Sequence, residues 1–512
     1  MSNSVNISVV IITYNESSKI ERCIQSVKEI ADEVLVLDSF STDNTIELAK
    51  QCGAKVFQHK FIGFTEQKNK AMELASHKYI LSLDADEYVS EELKKSIQQI
   101  KLNWRADAYT FNRLNSFAGK WIKSCGWYPD AKIRLWNREK GRWQGGTLHE
   151  VVVMQSHTSC LHLTGDLLHE AFKGSEDLIK KMQLYSTLYA NDHAFKKRVA
   201  TLDIAGKYAA AWFKNYILKG GIKDGYEGFI ISASNANGVL YKYAKLKERM
   251  NSLRVSLLIT TYNRKDALEL VLLSIKEQTV LPIEVIVADD GSREDTKILL
   301  ERMAKNFPVP LIHSWQEDNG FRAARSRNVA MKKAIGEYIV MIDGDIVLNR
   351  FFIQDHIRNA EKGFYLQGSR VLLLDKKTKQ AIHQKLIQFS FFSTGLKNRL
   401  NTIRSKFLSQ LFSKENNNIY RVRSMNISFW KTDYEKINGF NNEFVGWGRE
   451  DSEFAARMWH AGIKRKHIKF AAFGYHLYHN EQPRTALPQN QALLDKTIKE
   501  KLITCDNGLN QV

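Results

Sequence analysis

The run Ser8-Val9-Val10-Ile11-Ile12-Thr13-Tyr14-Asn15 returns past the middle of the chain as Ser256-Leu257-Leu258-Ile259-Thr260-Thr261-Tyr262-Asn263. Asn263 lies 248 residues after Asn15, and Ser26-Val27-Lys28-Glu29 is echoed at the same spacing by Ser274-Ile275-Lys276-Glu277. Each run is followed by a helical stretch, an acidic turn and an Asp-x-Asp: Asp84-Ala85-Asp86 and Asp343-Gly344-Asp345. A match of this length in this order indicates duplication of a domain-sized unit.

The period inside each copy alternates. From Ile7 to Ile12 the residues are mostly β-branched, which predicts a strand buried on both faces. Ile20, Cys23, Ile24 and Val27 then make a helical stripe. A second apolar run ends at Asp38, and Gly53 is a helix-stop residue before the next strand. Alternating strands and helices predict an α/β fold, with a doubly wound, mainly parallel sheet in each copy. Ligands of such sheets bind at the C-terminal strand ends. Thr13, Asp38 and Asp84 fall there, as do Thr261, Asp289 and Asp343. An amphipathic basic segment from Leu240 to Met250 places the domain boundary near Asn251. The expected domains are therefore 1–250 and 251–512.

Composition narrows the class. With 512 residues and 44% hydrophobic content the chain can bury large cores, which excludes a disordered protein. Cys23, Cys52, Cys125, Cys160 and Cys505 include no C-x-x-C pair, as expected of a reducing compartment. The polar start runs straight into a strand without a signal-peptide pattern, and no apolar run reaches membrane-spanning length. The expectation is a cytoplasmic protein, soluble or peripheral on the inner face of the cell membrane. The net charge of +19 suits an anionic partner: nucleic acid, anionic lipid or a phosphorylated substrate. No nucleic-acid-binding module is visible, so nucleic acid is not the expected partner.

The Asp-x-Asp pairs follow the apolar runs Tyr79–Leu83 and Tyr338–Ile342. Two carboxylates at a strand end suit a hard cation such as Mn²⁺ or Mg²⁺ and the phosphates it would bind. Asp38 and Asp289 can accept a hydrogen bond from a nucleotide base or cap the following helix. Gly446-Trp447-Gly448-Arg449-Glu450-Asp451 leads into a helix ending at Gly462. The helix N-terminus keeps Glu450 and Asp451 ionised and able to accept a proton. The glycines admit a sugar closely, and Trp447 offers it a flat face. Two basic, aromatic stretches, Ala194–Lys223 and an insertion in the second copy near 376–423, suit either interfacial helices on anionic lipid or packed helices with a solvated face.

The second copy resembles family 2 glycosyltransferases of GT-A fold, of the galactosyl- and N-acetylgalactosaminyltransferase (chondroitin-polymerase) kind. The resemblance rests on Thr261-Tyr262-Asn263, Asp289-Asp290-Gly291-Ser292, Asn319–Arg325, Asp343-Gly344-Asp345 and Gly446–Asp451. It implies Asp451 as catalytic base, Glu450, Trp447 and Gly448 on the acceptor, and Arg325 among the donor contacts. It also implies a late histidine beside Asp345 on the metal, either His476 or His479, with His479 preferred. The first copy is similar to lipopolysaccharide-core β-glucosyltransferases of the same fold. That match runs through Thr13-Tyr14-Asn15-Glu16, Asp38, Gln67-Lys68-Asn69, Asp84-Ala85-Asp86-Glu87, Arg134-Leu135-Trp136 and Leu148-His149-Glu150. It implies donor contacts from Thr13 to Glu16, Asp38, Lys68 and Asp84, metal at Asp86, and Glu150 as the candidate base. Asp38-Ser39-Phe40-Ser41 departs from the usual pattern, and the first copy has no Gly-Trp-Gly-x-Glu-Asp.

The resemblance implies two tandem GT-A domains forming a bifunctional inverting glycosyltransferase. Its partners would be UDP-hexose or UDP-N-acetylhexosamine donors and a glycan or glycolipid acceptor, either lipopolysaccharide core or a capsule-like polysaccharide. The alternative is one catalytic domain, the C-terminal one, beside an N-terminal domain that only binds.

Overall fold

Seven residues that are almost wholly buried, Ile7–Thr13, form the central strand of the first unit in the computed structural model, which describes residues 4–145, 150–196, 201–480 and 483–512. The chain divides into two compact units, Met1–Asp192 with Val199–Leu246 and His193–Arg198 with Lys247–Val512. The division falls inside the helix Gly225–Asn251.

In the first unit, Ile7–Thr13 pairs in parallel with Glu33–Asp38 on one side and Tyr79–Asp84 on the other. The registers Thr13 to Asp38 and Ile12 to Asp84 bring three strand ends to one edge. Lys55–Gln58 extends this parallel half, whereas Ala131–Asn137 joins Tyr79–Asp84 antiparallel and opens a mixed half. The helices Ile20–Val27 and Phe64–Leu74 cover the sheet with Ile24, Val27, Ala71 and Met72.

The second unit repeats the parallel half. Val255–Thr261 lies between Glu284–Asp289 and Tyr338–Asp343, with Thr261 opposite Asp289 and Thr260 opposite Asp343. The opposite sheet edge is repeated too. Ser8 Oγ donates to Glu33 at 2.6 Å, and Ser256 Oγ donates to Glu284 at 2.5 Å. A buried carboxylate is retained only where such donors replace its water, so this pair is a second mark of duplication.

The back halves differ. In the first unit the short strand Glu87–Val89 pairs with the long strand Cys160–Phe172, inside the main sheet. In the second unit its counterpart Ile346–Leu348 pairs with Phe473–His476 in a separate four-stranded sheet. The basic insertion forms short pieces, including the helices Asp375–Gln384 and Lys406–Phe412. No helix among the described residues is long and apolar enough to cross a membrane.

Candidate active sites

Each parallel half ends in a buried hydroxyl that makes no hydrogen bond, Thr13 Oγ1 and Thr261 Oγ1. A buried polar atom without a partner is a position where a ligand can restore the lost bond. The neighbouring asparagines are tied up. Asn15 and Asn263 both have positive φ, and their carbonyls accept from the backbone N–H groups of Thr42 and Arg293 at 2.8 and 3.0 Å. Their side chains clamp the first loop to the second. Asp38 and Asp289 are fully buried and accept from the backbone N–H of Ser41 and Ser292, each at 2.8 Å. Both bonds close the loop after the strand; neither aspartate caps the following helix, which begins only at Thr45 or Glu294. Asp289 also meets His313 Nε2 at 2.8 Å. Tyr14 and Tyr262 stand exposed beside these loops, and Burial raises the Glu16 carboxyl above its ordinary range.

In the second unit one buried guanidinium organises the site. Arg327 Nε donates to Thr260 Oγ1 at 3.1 Å, and Nη2 lies 3.4 Å from Asp343. Its Nη1 faces Glu450 at 3.9 Å and Asp451 at 3.8 Å, and makes no hydrogen bond. Burial and the Asp451 charge push the Glu450 carboxyl up to about 7. Burial, offset in part by Arg327, raises Asp343 to about 6. Asp451 Oδ2 accepts from Ser424 N–H at 3.0 Å, while its Oδ1 has no hydrogen-bond partner.

Asp345 sits beside two histidines. Nε2 of His476 and of His479 each lie 3.5 Å from one of its carboxylate oxygens. Ligand atoms of the three residues fall within 4.8 Å of one another, and Asp345 Oδ1 is buried without a hydrogen bond. A carboxylate and two imidazoles at this spacing fit a divalent cation. Burial lowers the pKa of His476 to about 4, so this ring is neutral and can ligate. Arg264 also reaches Asp345, at 3.2 Å.

The first unit builds its site differently from the same positions. Lys68 precedes Asp84 by 16 residues, as Arg327 precedes Asp343 by 16. Buried Lys68 Nζ lies 3.0 Å from Asp84 and 3.3 Å from Glu150. A second buried cation, Arg134, pairs with Glu87 at 2.7 Å and Asp84 at 3.5 Å. Burial raises the Asp84 carboxyl, but Lys68 and Arg134 outweigh it and hold the group well below the usual carboxylate range. Leu148 and His149 lie outside the described residues.

The sequence reading missed two residues. Arg325 donates to Gln316 at 2.7 Å, and Arg327 is the arginine that faces the carboxylates. The other is His169, whose Nε2 lies 3.3 Å from Asp86. His169 pairs with Glu87 as His476 pairs with Ile346, so both histidines stand opposite the residue that follows the Asp-x-Asp. His169 Nδ1 is 2.7 Å from Asn115 Oδ1, an acceptor. That contact orients the ring so that Nε2 faces Asp86. No motif in the sequence marks His169; its strand, Cys160–Phe172, went unpredicted.

The glycines of the Gly446–Asp451 loop have a demand inside the chain. Both have positive φ, and an added Cβ would meet Ala486 Cβ at 2.5 Å at Gly446 and Leu487 Cδ1 at 3.0 Å at Gly448. Trp447 is 40% exposed and so keeps a face open to solvent.

Comparison with known proteins follows the same division. The sequence profile of "Glycosyl transferase family 2" matches residues 8–154 and again 256–423. That of the "N-terminal domain of galactosyltransferase" matches 410–480, a span containing Glu450, Asp451, His476 and His479. An uncharacterized glycosyltransferase of Rickettsia typhi is 32% identical over 47% of this chain and 87% of its own length. The hyaluronan synthase of Pasteurella multocida is 26% identical over 47% of this chain and 26% of its own length. The chondroitin synthase of Escherichia coli is 24% identical over 45% and 35%. The crystal structure of S. aureus TarS overlaps 48% of this chain and 39% of that chain, at 19% identity and a TM-score of 0.33. The chain belongs to glycosyl transferase family 2, and carries that family's domain twice.

Proposed function

We propose that the chain is a bifunctional inverting glycosyltransferase. Each unit would transfer a hexose or N-acetylhexosamine from a UDP-linked donor to a glycan or glycolipid of the bacterial surface, lipopolysaccharide core or a capsule-like polysaccharide. The observation that carries this reading is the repeated buried cation. Lys68 joins Asp84 to Glu150 at 3.0 and 3.3 Å, as Arg327 stands between Asp343 and the Glu450–Asp451 pair.

In the second unit Thr261, Asp289 and Asp343 would hold the nucleotide, with Asp345, His476 and His479 holding Mn²⁺ or Mg²⁺. The bound cation supplies charge neutralisation at the leaving diphosphate. Asp451 Oδ1, free of hydrogen bonds, takes the proton of the acceptor hydroxyl. The hydroxyl oxygen bonds to the anomeric carbon as the bond to the nucleotide diphosphate breaks, with inversion. Glu450 and the exposed face of Trp447 orient the acceptor. Glu150 is the corresponding base of the first unit, with Thr13, Asp38 and Asp84 on the donor. The acceptor's setting would place the chain on the inner face of the cell membrane.

One observation favours a second reading, in which the first unit only binds. Among the described residues only Asp345, His476 and His479 form a set of three metal-binding side chains. Labelled UDP-sugars offered to Asp84→Ala/Asp86→Ala and to Asp343→Ala/Asp345→Ala separate the two. Two distinct transfers, each lost in one variant, support bifunctionality. An unchanged transfer pattern in the first variant makes that unit a binding module.

A further inference from the structure

The active sites leave unused a helical hairpin in the first unit. Helix Thr201–Phe213 widens into a π turn over Lys214–Leu218, reverses through left-handed Gly220, and re-enters helix at Gly225–Asn251. Its inner side is fixed. Ile231 packs with Phe117, Ile122 and Cys125. Gly221 is pressed so close to the body that a Cβ there would meet Cys125 Sγ at 2.9 Å.

The outer side is apolar and uncovered. Leu218 is 70% exposed, Tyr226 67% and Ile222 57%, with Phe213 and Ile217 exposed beside them. Among the described residues these side chains join no buried cluster of the first unit, although burying them would be favourable. Lys214, Lys219 and Lys223 are exposed around the same tip. The acids nearby are already engaged: Asp224 and Glu227 pair with Lys120 at 3.7 and 3.2 Å. The tip is thus an apolar knob ringed by positive charge.

We infer that this hairpin tip is a docking surface for anionic lipid, inserting Leu218, Ile222 and Tyr226 at the level of the headgroups while the three lysines meet phosphate. Charge decides for this occupant over a second copy, because self-pairing would set lysines against lysines. An apolar tip with a cationic rim matches an interface of buried acyl chain and negative surface potential. The inference rests on the membrane setting proposed above, but its test uses neither donor nor acceptor, so its failure leaves the transfer reading standing.

The test is co-sedimentation of the full chain with vesicles of phosphatidylcholine, or of equal parts phosphatidylcholine and phosphatidylglycerol. The expected result is binding to the anionic vesicles only, weakened by salt. Lys214→Gln/Lys219→Gln/Lys223→Gln lowers partition by about fivefold per lysine, and Leu218→Ser/Ile222→Ser by at least about tenfold. Both variants keep the wild-type unfolding midpoint, because the replaced side chains are exposed. Ile298→Ser, an exposed residue on another helix, changes nothing. Equal partition to both vesicle types, or wild-type partition in both tip variants, overturns the inference. So does a dimer that Leu218→Ser/Ile222→Ser converts to monomer with vesicle binding intact.

Discussion

The two units hold the same cation position and fill it differently. In the second, the broad guanidinium of Arg327 spans three carboxylates at 3.4 to 3.9 Å. In the first, the compact ammonium of Lys68 meets two at 3.0 and 3.3 Å, with Arg134 added alongside. The electrostatic consequence is opposite. Asp343 and Glu450 are raised to about 6 and 7, while Asp84 is held down. Duplication preserved where a charge must sit, and divergence changed how many charges share the site. The histidines follow the same rule: two flank Asp345, and one flanks Asp86.

The largest expected effect breaks this comparison at its centre. Lys68→Ala removes the cation between Asp84 and Glu150, leaving Asp84 only Arg134, and Arg327→Ala removes the one facing Asp343, Glu450 and Asp451; because these carboxylates are partly exposed, the cost is on the order of 1–3 kcal/mol. Each should abolish the transfer of its own unit and lower its unfolding midpoint. Arg327→Lys restores charge without reach, so it should recover stability more than transfer. Separate donor assays and calorimetry read the two effects.

Removing second-unit and first-unit histidines sharpens the metal side. His476→Ala and His169→Ala should each weaken cation dependence in one unit only. Asn115→Leu should imitate His169→Ala in milder form, with about a 10–100-fold loss of metal affinity measured by cation titration of the first transfer.

Proton dependence should separate the units as well. Glu450 is raised, so its neutral form prevails below about 7 and the Glu450–Asp451 pair then holds a proton. Second-unit transfer should fall as pH drops through about 7, and Glu450→Gln should remove that limb. Asp84, held low, stays ionised through the same range. The smallest effect is structural. His356 is fully buried against Ser428 and Asn426, and burial lowers its pKa to about 4. Protons therefore favour the unfolded chain between the ordinary value of 6.5 and about 4. Second-unit stability should be full above 6.5 and fall by on the order of 1–3 kcal/mol on acidification, as urea unfolding would show.

Much of this was legible in sequence because the parallel half is local. Each strand end with its Asp or Thr follows directly from an apolar run. What escaped depends on distance or phase. Glu150 and Lys68 were each singled out, but not as a pair, because they lie 82 residues apart and no periodicity links them. Arg325 and Arg327 are two residues apart on the helix Ala323–Lys333, about 200° around its axis, so only one can face inward. His169 was hidden because its role comes from register with Glu87 across the sheet. Gly446 and Gly448 were read for a sugar, yet they also answer to Ala486 and Leu487, which no motif records.

In the proposed mechanism the buried cation marks a base in each unit. The direct measurement is paired: Glu150→Gln and Asp451→Asn, each assayed for both transfers. Each variant should lose about 10²–10⁴ in kcat for its own transfer, retain its donor KM and leave the other transfer intact. A Glu150→Gln protein that carries out both transfers at the wild-type rate would contradict it.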